Sequence, residues 1–327
     1  MLNKIIAVTD SVFPNLDAAR DVVSKVGGEL RLAKTPTPEG ILEVARDADA
    51  VLTTYAKVTT AVVEQLTRCR IISRFGIGVD NVDIAMATSK GIVVTKVPDY
   101  CIDEVSDHAM ALLLAIVRKI PFSNSEVQAG RWAMPPVVPI HRLRGTVLGL
   151  VGFGRIPQLV APKAQAFGIK VIAFDPFAPR EVFAKAGVAS VSFDELVKTA
   201  DYISLHCPLT PETNHLFNAE VFGKMKPGAY LVNTGRGPLI DEAALAQALD
   251  KGQLAGAALD VVEKEPPVGS PVLGRNNVIL TPHTAFYSDE SLLELQVKAA
   301  EEVVRVLSGQ APNNPVNPEV LKASASR

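Results

Sequence analysis

The chain contains only three cysteines, and no two of them are spaced as CxxC. This excludes a disulfide framework and a cysteine-based metal site. Long hydrophobic runs are lacking too: the longest, residues 109–117, is far short of the roughly 20 residues that cross a bilayer. Neither sign of charge is in excess, with 33 Lys and Arg against 35 Asp and Glu, and the basic residues are scattered. We therefore expect neither a nucleic-acid partner nor a membrane.

What is present is typical of a globular protein. The chain has 327 residues, of which 48% are hydrophobic and 21% charged, and this length is enough for two domains. The amino terminus, MLNKIIAVTD, resembles the start of a strand and lacks the layout of a signal peptide, so we expect a cytoplasmic protein.

Strands and helices alternate along both halves of the chain. Strands are predicted at 5–8, 29–33, 50–53, 71–74 and 92–94, and again at 147–151, 170–174, 202–206, 229–233, 257–261 and 278–280. Helical patterns separate most of these strands, which is typical of parallel sheets covered on both faces. The sequence therefore predicts an α/β protein with two doubly wound parallel-sheet domains. A mostly apolar helix at 103–119 and a connecting arm at 121–144 join the halves, and prolines mark an irregular tail after a last helix at 288–307.

The segment 146–176 has the order strand, glycine turn, helix, strand, acid that is typical of a dinucleotide-binding unit. Gly152 permits the tight turn, and Gly154 lets the backbone approach a pyrophosphate closely. The helix that begins at Arg155 and Ile156 offers unpaired N–H groups and a positive dipole end to the phosphates. Asp175 would accept hydrogen bonds from the ribose hydroxyls and repel a 2′-phosphate, which favours NAD over NADP.

Two prolines depart from this fingerprint. Pro157 replaces the third glycine; the first turn of a helix tolerates proline, but the close contact between strand and helix is then in question. Pro162 lies further inside and is expected to kink or loosen the helix.

Ionisable residues gather after the strands of the second series, where open α/β sheets bind ligands. Arg236 stands between two glycines, and its planar fork suits a carboxylate or a polarised carbonyl. His283 could exchange a proton with the oxygen of an alcohol or ketone. Glu265 could hold that imidazole and keep it charged for ketone reduction, although Glu263 competes for this role.

The other histidines have plainer interpretations. His206 is more often structural than catalytic in such a packed strand end, His108 lies in an apolar helix, His141 lies in the arm, and His215 is expected in an exposed turn.

Two loops of the first domain are candidates for substrate binding. Residues 74–78, RFGIG, either form an anion-binding nest or make an ordinary glycine turn, and both interpretations stay open. The loop 54–57, which carries Tyr55, is a candidate for substrate selectivity.

Taken together, six segments resemble the NAD-dependent D-isomer-specific 2-hydroxyacid dehydrogenases. They are RFGIGVDNVD at 74–83, GLVGFGRI at 149–156, FDP at 174–176, LVNTGRGPLIDEAALAQAL at 231–249, AALDVVEKEP at 257–266 and TPH at 281–283. The first seventy residues resemble the family only in their alternation of strands and helices.

This resemblance implies a central Rossmann NAD-binding domain at 102–288 and a flavodoxin-like substrate domain built from 1–101 and 289–327. It implies a homodimer formed through the central domain and a small 2-oxo or 2-hydroxy acid as substrate, with no metal. The catalytic residues would be Arg236, Glu265 and His283. The cofactor would also be lined by matching positions, which are Pro208, Thr213, Thr234, Gly235, Asp260 and His283. The substrate carboxylate would be received by the loop of Gly76, Ile77 and Gly78.

A second resemblance keeps an alternative open. HTAFYSDE at 283–290 is similar to the C-terminal-binding-protein corepressors of the same family, and Phe286 stands where those proteins carry a Trp beside the substrate. The alternative is thus an NAD-sensing module that changes its assembly. Arg74 is similar to an arginine of D-3-phosphoglycerate dehydrogenases. In this chain Arg74 could bind a second anionic group on the substrate.

Overall fold

The computed structural model describes residues 3–134 and 138–324 of the chain. The chain divides into two compact units: residues 1–100 with 288–327, and residues 101–287. Pro135 and Pro136, which we placed in the connecting arm, lie outside the described residues. In the part of the chain that is described, no helix is long and apolar enough to cross a membrane.

Twelve strands and thirteen α-helices are defined within the described residues. The strands are β1 Lys4–Val8, β2 Gly28–Leu32, β3 Ala50–Thr53, β4 Ile71–Arg74, β5 Val93–Thr95, β6 Val147–Val151, β7 Lys170–Phe174, β8 Ala189–Ser190, β9 Tyr202–Leu205, β10 Ala229–Asn233, β11 Leu254–Leu259 and β12 Val278–Leu280. The helices are α1 Asp17–Ser24, α2 Pro38–Ala45, α3 Thr60–Glu64, α4 Ile84–Ser89, α5 Ile102–Val117, α6 Ile120–Gln128, α7 Arg155–Ala166, α8 Arg180–Lys185, α9 Phe193–Thr199, α10 Ala219–Lys224, α11 Glu242–Asp250, α12 Asp289–Leu307 and α13 Glu319–Ser324.

The discontinuous unit contains a five-stranded parallel sheet in the order β2-β1-β3-β4-β5. This is the flavodoxin-like order expected from the sequence. Strands β3 and β4 are buried along their whole length, because helices cover both faces. The late helix α12 returns to this unit and packs against β4, β3 and α1.

The continuous unit contains a seven-stranded parallel sheet in the order β12-β11-β10-β9-β6-β7-β8. The chain reverses direction across the sheet between β6 and β9, which makes this the switch point of a Rossmann fold. Helix α5 lies against β10, β11 and α7. It buries side chains such as Leu113 and Ile116 and exposes Asp107 on its outer side.

Three local features differ from the sequence-based expectations. Helix α8 and the two-residue strand β8 were not predicted, because both elements are short. The tail is not irregular throughout, since α13 forms after Pro318. Pro162, which we expected to kink or loosen α7, lies inside a helix that continues without interruption from Arg155 to Ala166.

Candidate active site

The turn between β6 and α7 is built around two glycines with different constraints. Gly152 has φ +90°, and a Cβ there would lie 2.9 Å from the backbone nitrogen of Cys207 and from the carbonyl group of His206. Only glycine fits such a position. Gly154 caps α7 with φ −74°, without a side-chain hydrogen bond, and a Cβ there would meet nothing within 4 Å. The helix therefore presents its first N–H groups beside open space, as anion binding requires.

Asp175, at the end of β7, is held by the glycine turn itself. Its Oδ2 accepts a hydrogen bond from the Phe153 N–H at 2.8 Å, and its Oδ1 accepts from the Phe177 and Ala178 N–H groups at 2.8 and 3.1 Å. This structural role was not foreseen from the sequence. Carboxylate oxygens accept more than one hydrogen bond each, so the geometry is compatible with ribose hydroxyls as further donors.

Arg236 follows β10 in a turn that is fixed by Asn233. The Asn233 side chain, fully buried, accepts from the Gly235 N–H at 2.9 Å and donates to the Arg236 carbonyl at 2.9 Å. Arg236 Nη1 donates to the Gly235 carbonyl at 2.9 Å. On the other side of the arginine, a Cβ at Gly237 would lie 1.8 Å from the Val262 carbonyl oxygen, so this close approach of two loops requires glycine. Asn233 is thus a supporting residue that the sequence pattern did not single out.

His283 and Glu265 form a hydrogen-bonded pair. Their Nδ1 and Oε2 atoms lie 2.8 Å apart, with 23% and 38% of the two side chains exposed. His283 has φ +53°, an uncommon backbone conformation for a residue other than glycine. The ring of Phe286 stands edge-on to the imidazole, with the ring centres 6.3 Å apart. Glu263, the competing acid, instead approaches the Nε2 atom of His215 at 2.6 Å.

The Arg236 turn and the His283 loop lie at the same edge of the sheet. Asn233, Leu259 and Leu280 end three neighbouring parallel strands and are in register. The backbone ladder continues beyond them, since Asp260 N–H donates to the Asn233 carbonyl at 2.9 Å and His283 N–H donates to the Asp260 carbonyl at 2.8 Å. Two strand spacings of roughly 5 Å each separate the two loops, which is a distance that one small molecule can span.

Asp260, which we expected to line the cofactor, follows β11, is 2% exposed and is bonded chiefly to the loop that follows β12. Its Oδ1 accepts from Thr281 Oγ1 at 2.6 Å and from the Thr284 N–H at 2.9 Å, and its Oδ2 accepts from the Ala285 N–H at 2.9 Å. His108 Nε2 lies 3.0 Å from Thr281 Oγ1. The histidine that we interpreted as a plain apolar-helix residue thus belongs to a polar network.

The remaining cofactor positions lie along the same edge. Thr213 Oγ1 donates to the Pro208 carbonyl at 2.8 Å in the loop after β9. Thr234 Oγ1, after β10, is buried and has no hydrogen-bond partner within the described residues. At the end of β9, burial lowers the pKa of His206 to about 4, and its Nε2 lies 2.9 Å from Ser204 Oγ. A neutral, packed imidazole agrees with a structural role.

In the discontinuous unit, the expected substrate residues lie at the carboxyl ends of β3 and β4. The Arg74 side chain is 9% exposed, and its guanidinium occupies the space that a Cβ on Gly76 would fill. Asp10 holds the neighbouring loop, since its two oxygens accept from the Thr54 and Tyr55 N–H groups at 2.9 and 2.7 Å. Gly76 has φ +147°, and Ile77 and Gly78 continue the turn. The positively charged guanidinium of Arg74 thus lies directly against this turn.

A cavity of about 300 Å³ lies at the opposite edge of the seven-stranded sheet, between Ile116, Tyr230 and Asn277. It is formed at the amino ends of β10 to β12 and contains none of the candidate residues. Among the described residues, no group of three His, Cys, Asp or Glu side chains could hold a metal ion.

Known proteins share the sequence pattern and the fold of this chain. A family model described as D-isomer specific 2-hydroxyacid dehydrogenase, NAD binding domain, matches residues 110–285. The chain is 41% identical over 314 residues to the D-3-phosphoglycerate dehydrogenase of Methanocaldococcus jannaschii, a match that covers 95% of this chain and 59% of that protein. The chain therefore spans about three-fifths of that relative's length.

Two further matches cover nearly the whole length of both aligned chains. The chain is 38% identical over 306 residues to the glyoxylate reductase of Thermococcus litoralis, covering 90% of this chain and 92% of that protein. The solved structure of a D-lactate dehydrogenase from Aquifex aeolicus, complexed with NAD and lactic acid, has a TM-score of 0.88 at 28% identity and covers 96% and 99% of the two chains. With its central unit matched by the family's NAD-binding domain and its whole length matched by these relatives, the chain belongs to the D-isomer-specific 2-hydroxyacid dehydrogenase family.

Proposed function

We propose that the protein is an NAD-dependent dehydrogenase that interconverts a small D-2-hydroxy acid and its 2-oxo acid. The observation that carries the proposal is the His283–Glu265 pair, 2.8 Å between Nδ1 and Oε2, at the sheet edge that also bears the Arg236 turn. A histidine paired with a carboxylate beside a guanidinium suits proton exchange on a substrate that carries a carboxylate.

The residues of the continuous unit fit a bound dinucleotide. Gly154 leaves the amino end of α7 open, as a pyrophosphate requires, and Asp175 is fixed beside the same turn. The buried Thr234 hydroxyl has no hydrogen-bond partner in the described part of the chain, so a polar group of the cofactor is the partner that we propose for it. An acid at Asp175 favours NAD over a cofactor that carries a 2′-phosphate.

In the proposed mechanism, NAD(H) supplies the hydride chemistry at carbon 4 of its nicotinamide ring. His283 donates a proton to the carbonyl oxygen of the 2-oxo acid as it becomes an alcohol, and takes the proton back in the reverse direction. Because Glu265 holds the Nδ1 atom of His283, we assign the exchanged proton to Nε2. The negative charge of the Glu265 carboxylate balances the positive charge of the imidazolium. Arg236 binds the substrate carboxylate and the reacting oxygen with its planar fork.

For the discontinuous unit we propose substrate binding. We propose that the Ile77 and Gly78 N–H groups and the Arg74 guanidinium, which packs over Gly76, bind an anion; the Gly76 N–H already donates to the Arg74 carbonyl at 2.9 Å. This favours substrates with a second acidic group. The relatives include a D-3-phosphoglycerate dehydrogenase and a glyoxylate reductase, so the candidate substrates should include compounds with and without a second acidic group. NADH oxidation should be compared on 3-phosphohydroxypyruvate, hydroxypyruvate, glyoxylate and pyruvate; Arg74→Ala should raise KM most for the first of these.

The central test combines turnover with cofactor binding. His283→Ala and Arg236→Ala should each lower turnover by at least a hundredfold, while the Kd for NADH, measured by fluorescence, changes little. His141→Ala, which removes an exposed histidine, is the matched control and should keep wild-type turnover. Wild-type rates in either active-site variant would refute the assignment.

We also propose a cytoplasmic homodimer. Large apolar side chains are exposed on α6 and among the described residues that follow it: Ile120, Val127, Trp132, Met134 and Val138. Exposed apolar side chains in such number are typical of a protein interface, and a second copy of the chain is the partner that the family resemblance implies. Sedimentation velocity with and without NADH tests this. A monomer at micromolar concentration contradicts it, and an NADH-dependent change of assembly without turnover on any 2-oxo acid favours the sensing module instead.

A further inference from the structure

A buried polar network connects α5 to the loop that carries His283. Its members are His108 on α5, Asp260 after β11 and Thr281 after β12. The Asp260 side chain is 1% exposed and that of His108 25%, so the network lies largely out of water. His108 has no part in the function proposed above.

The direction of the hydrogen bonds follows from counting protons. Thr281 Oγ1 lies 2.6 Å from Asp260 Oδ1, and an ionised carboxylate can only accept, so the threonine hydroxyl donates its single proton there. The contact of 3.0 Å between Thr281 Oγ1 and His108 Nε2 then needs a proton on the histidine. His108 therefore donates from Nε2, and the bonds run from His108 through Thr281 to Asp260. The Nε2 atom also lies 3.5 Å from the Asp260 Oδ1 atom.

Asp260 in turn fixes the backbone of His283 and of the two residues that follow it. Its carboxylate accepts from the N–H groups of Thr284 and Ala285, at 2.9 Å each, and its carbonyl accepts from the His283 N–H at 2.8 Å. His283 has φ +53°, which costs roughly 1–2 kcal/mol for a residue with a Cβ and persists only where the surroundings enforce it. The network supplies that enforcement.

We propose that His108 is a positioning residue for the proton-transferring pair: through Thr281 and Asp260 it sets the 281–285 backbone, and thereby the placement of His283 against Glu265. This inference rests on the proposed function for its kinetic consequence, but its structural part does not need turnover. His108 acts at a distance, because its nearest polar partner is Thr281, two residues before the catalytic imidazole.

Two variants of His108 test whether the hydrogen bond that its Nε2 donates to Thr281 is needed. His108→Leu fills a similar volume but removes the donor, whereas His108→Gln keeps an N–H at a comparable reach. His108→Leu should lower kcat by about tenfold to a hundredfold, since small misplacements of a reacting group have effects of this size. His108→Gln should recover most of that loss. The Kd for NADH and the thermal midpoint should stay close to wild type in both variants, which a general loss of folding would not allow.

A double-mutant cycle decides whether His108 acts through His283. In a His283→Gln background, adding His108→Leu should change the residual kcat by less than twofold. If the second substitution lowers kcat by the same factor in both backgrounds, His108 acts elsewhere and the inference is overturned.

A readout without turnover separates this inference from the proposed function. The imidazole N–H signal of His283, assigned by its loss in His283→Gln, should shift or broaden in His108→Leu and return in His108→Gln. If the wild type reduces no 2-oxo acid, the proposed function fails while this measurement still tests the network. An unchanged signal in His108→Leu overturns the network, whatever the activity.

Discussion

Gly152 and Gly154 stand two residues apart, and the structure predicts opposite consequences for replacing each with alanine. At Gly152 a methyl group would require φ +90° and would lie 2.9 Å from backbone atoms of residues 206 and 207. At Gly154 the backbone is extended, with φ −74° and ψ −160°, and the methyl group would meet nothing within 4 Å. Gly152→Ala should therefore damage the fold, and Gly154→Ala should damage cofactor binding alone.

The sizes of the two effects can be worked out. The left-handed backbone costs about 1–2 kcal/mol at Gly152, and the backbone contacts add to this, so a loss of at least roughly 2 kcal/mol is expected. In a unit of residues 101–287 this corresponds to a fall in the thermal midpoint of about 4–8 °C. Alanine as an N-cap residue costs less than about 1 kcal/mol at Gly154. If its methyl group holds the pyrophosphate away from the helix, the Kd for NADH should rise about tenfold, equivalent to about 1.4 kcal/mol.

Thermal unfolding with and without NADH measures both effects in one experiment. NADH at a hundred times its wild-type Kd should stabilise the wild type by about 2.7 kcal/mol, and Gly154→Ala by about half of that. Fluorescence titration gives the Kd values independently. The reasoning is refuted if Gly154→Ala binds NADH like the wild type, or if Gly152→Ala unfolds at the wild-type temperature.

Three further predictions concern His206, Asn317 and Glu265. Burial lowers the pKa of His206 to about 4, whereas the histidine of the unfolded chain titrates near 6.5. Between these two pH values the unfolded state binds more protons than the folded state, so the free energy of unfolding decreases as the pH is lowered through this window. The wild type should lose about 2 kcal/mol more than His206→Asn between pH 7 and 5; equal losses in thermal scans would contradict this. Asn317→Ala should cost about 2–4 kcal/mol, because the buried Asn317 amide accepts from the Val94 N–H at 2.8 Å and donates to the Ile92 carbonyl at 3.0 Å; a loss under 1 kcal/mol in denaturant titrations would count against it. Glu265→Gln should lower kcat at least tenfold at constant NADH Kd, and steady-state kinetics that show an unchanged kcat would remove the glutamate from the mechanism.

The two parallel sheets were predictable because buried parallel strands are short apolar runs bounded by turn residues. Strands such as Val147–Val151 and Lys170–Phe174 have the bounds that the sequence indicates. Helix α8 was missed because six residues, REVFAK, are too few to establish a helical apolar periodicity. Helix α13 was missed because three nearby prolines suggested a chain without regular structure.

The site was predictable to the extent that its residues follow strand ends in the sequence. Arg236, Glu265 and His283 were selected in this way, and the pairing of the last two is a contact that the motif implied. Side chains that serve the backbone of distant segments were not predictable. Asp175 holds a residue 22 positions earlier, and His108 contacts a threonine 173 positions later, so no local spacing records either contact.

The return of the chain at residue 288 has a consequence for synthesis on the ribosome. The first five strands precede the continuous unit, but α12, which covers β4 and β3, and the Asn317 amide, which completes the edge of β5, are translated after it. At about 5–20 residues per second, roughly 10 to 40 seconds of synthesis separate the two parts of this unit. We expect the discontinuous unit to complete its fold after the continuous unit, although its synthesis begins first, and its uncovered sheet to be the surface that nascent-chain chaperones bind.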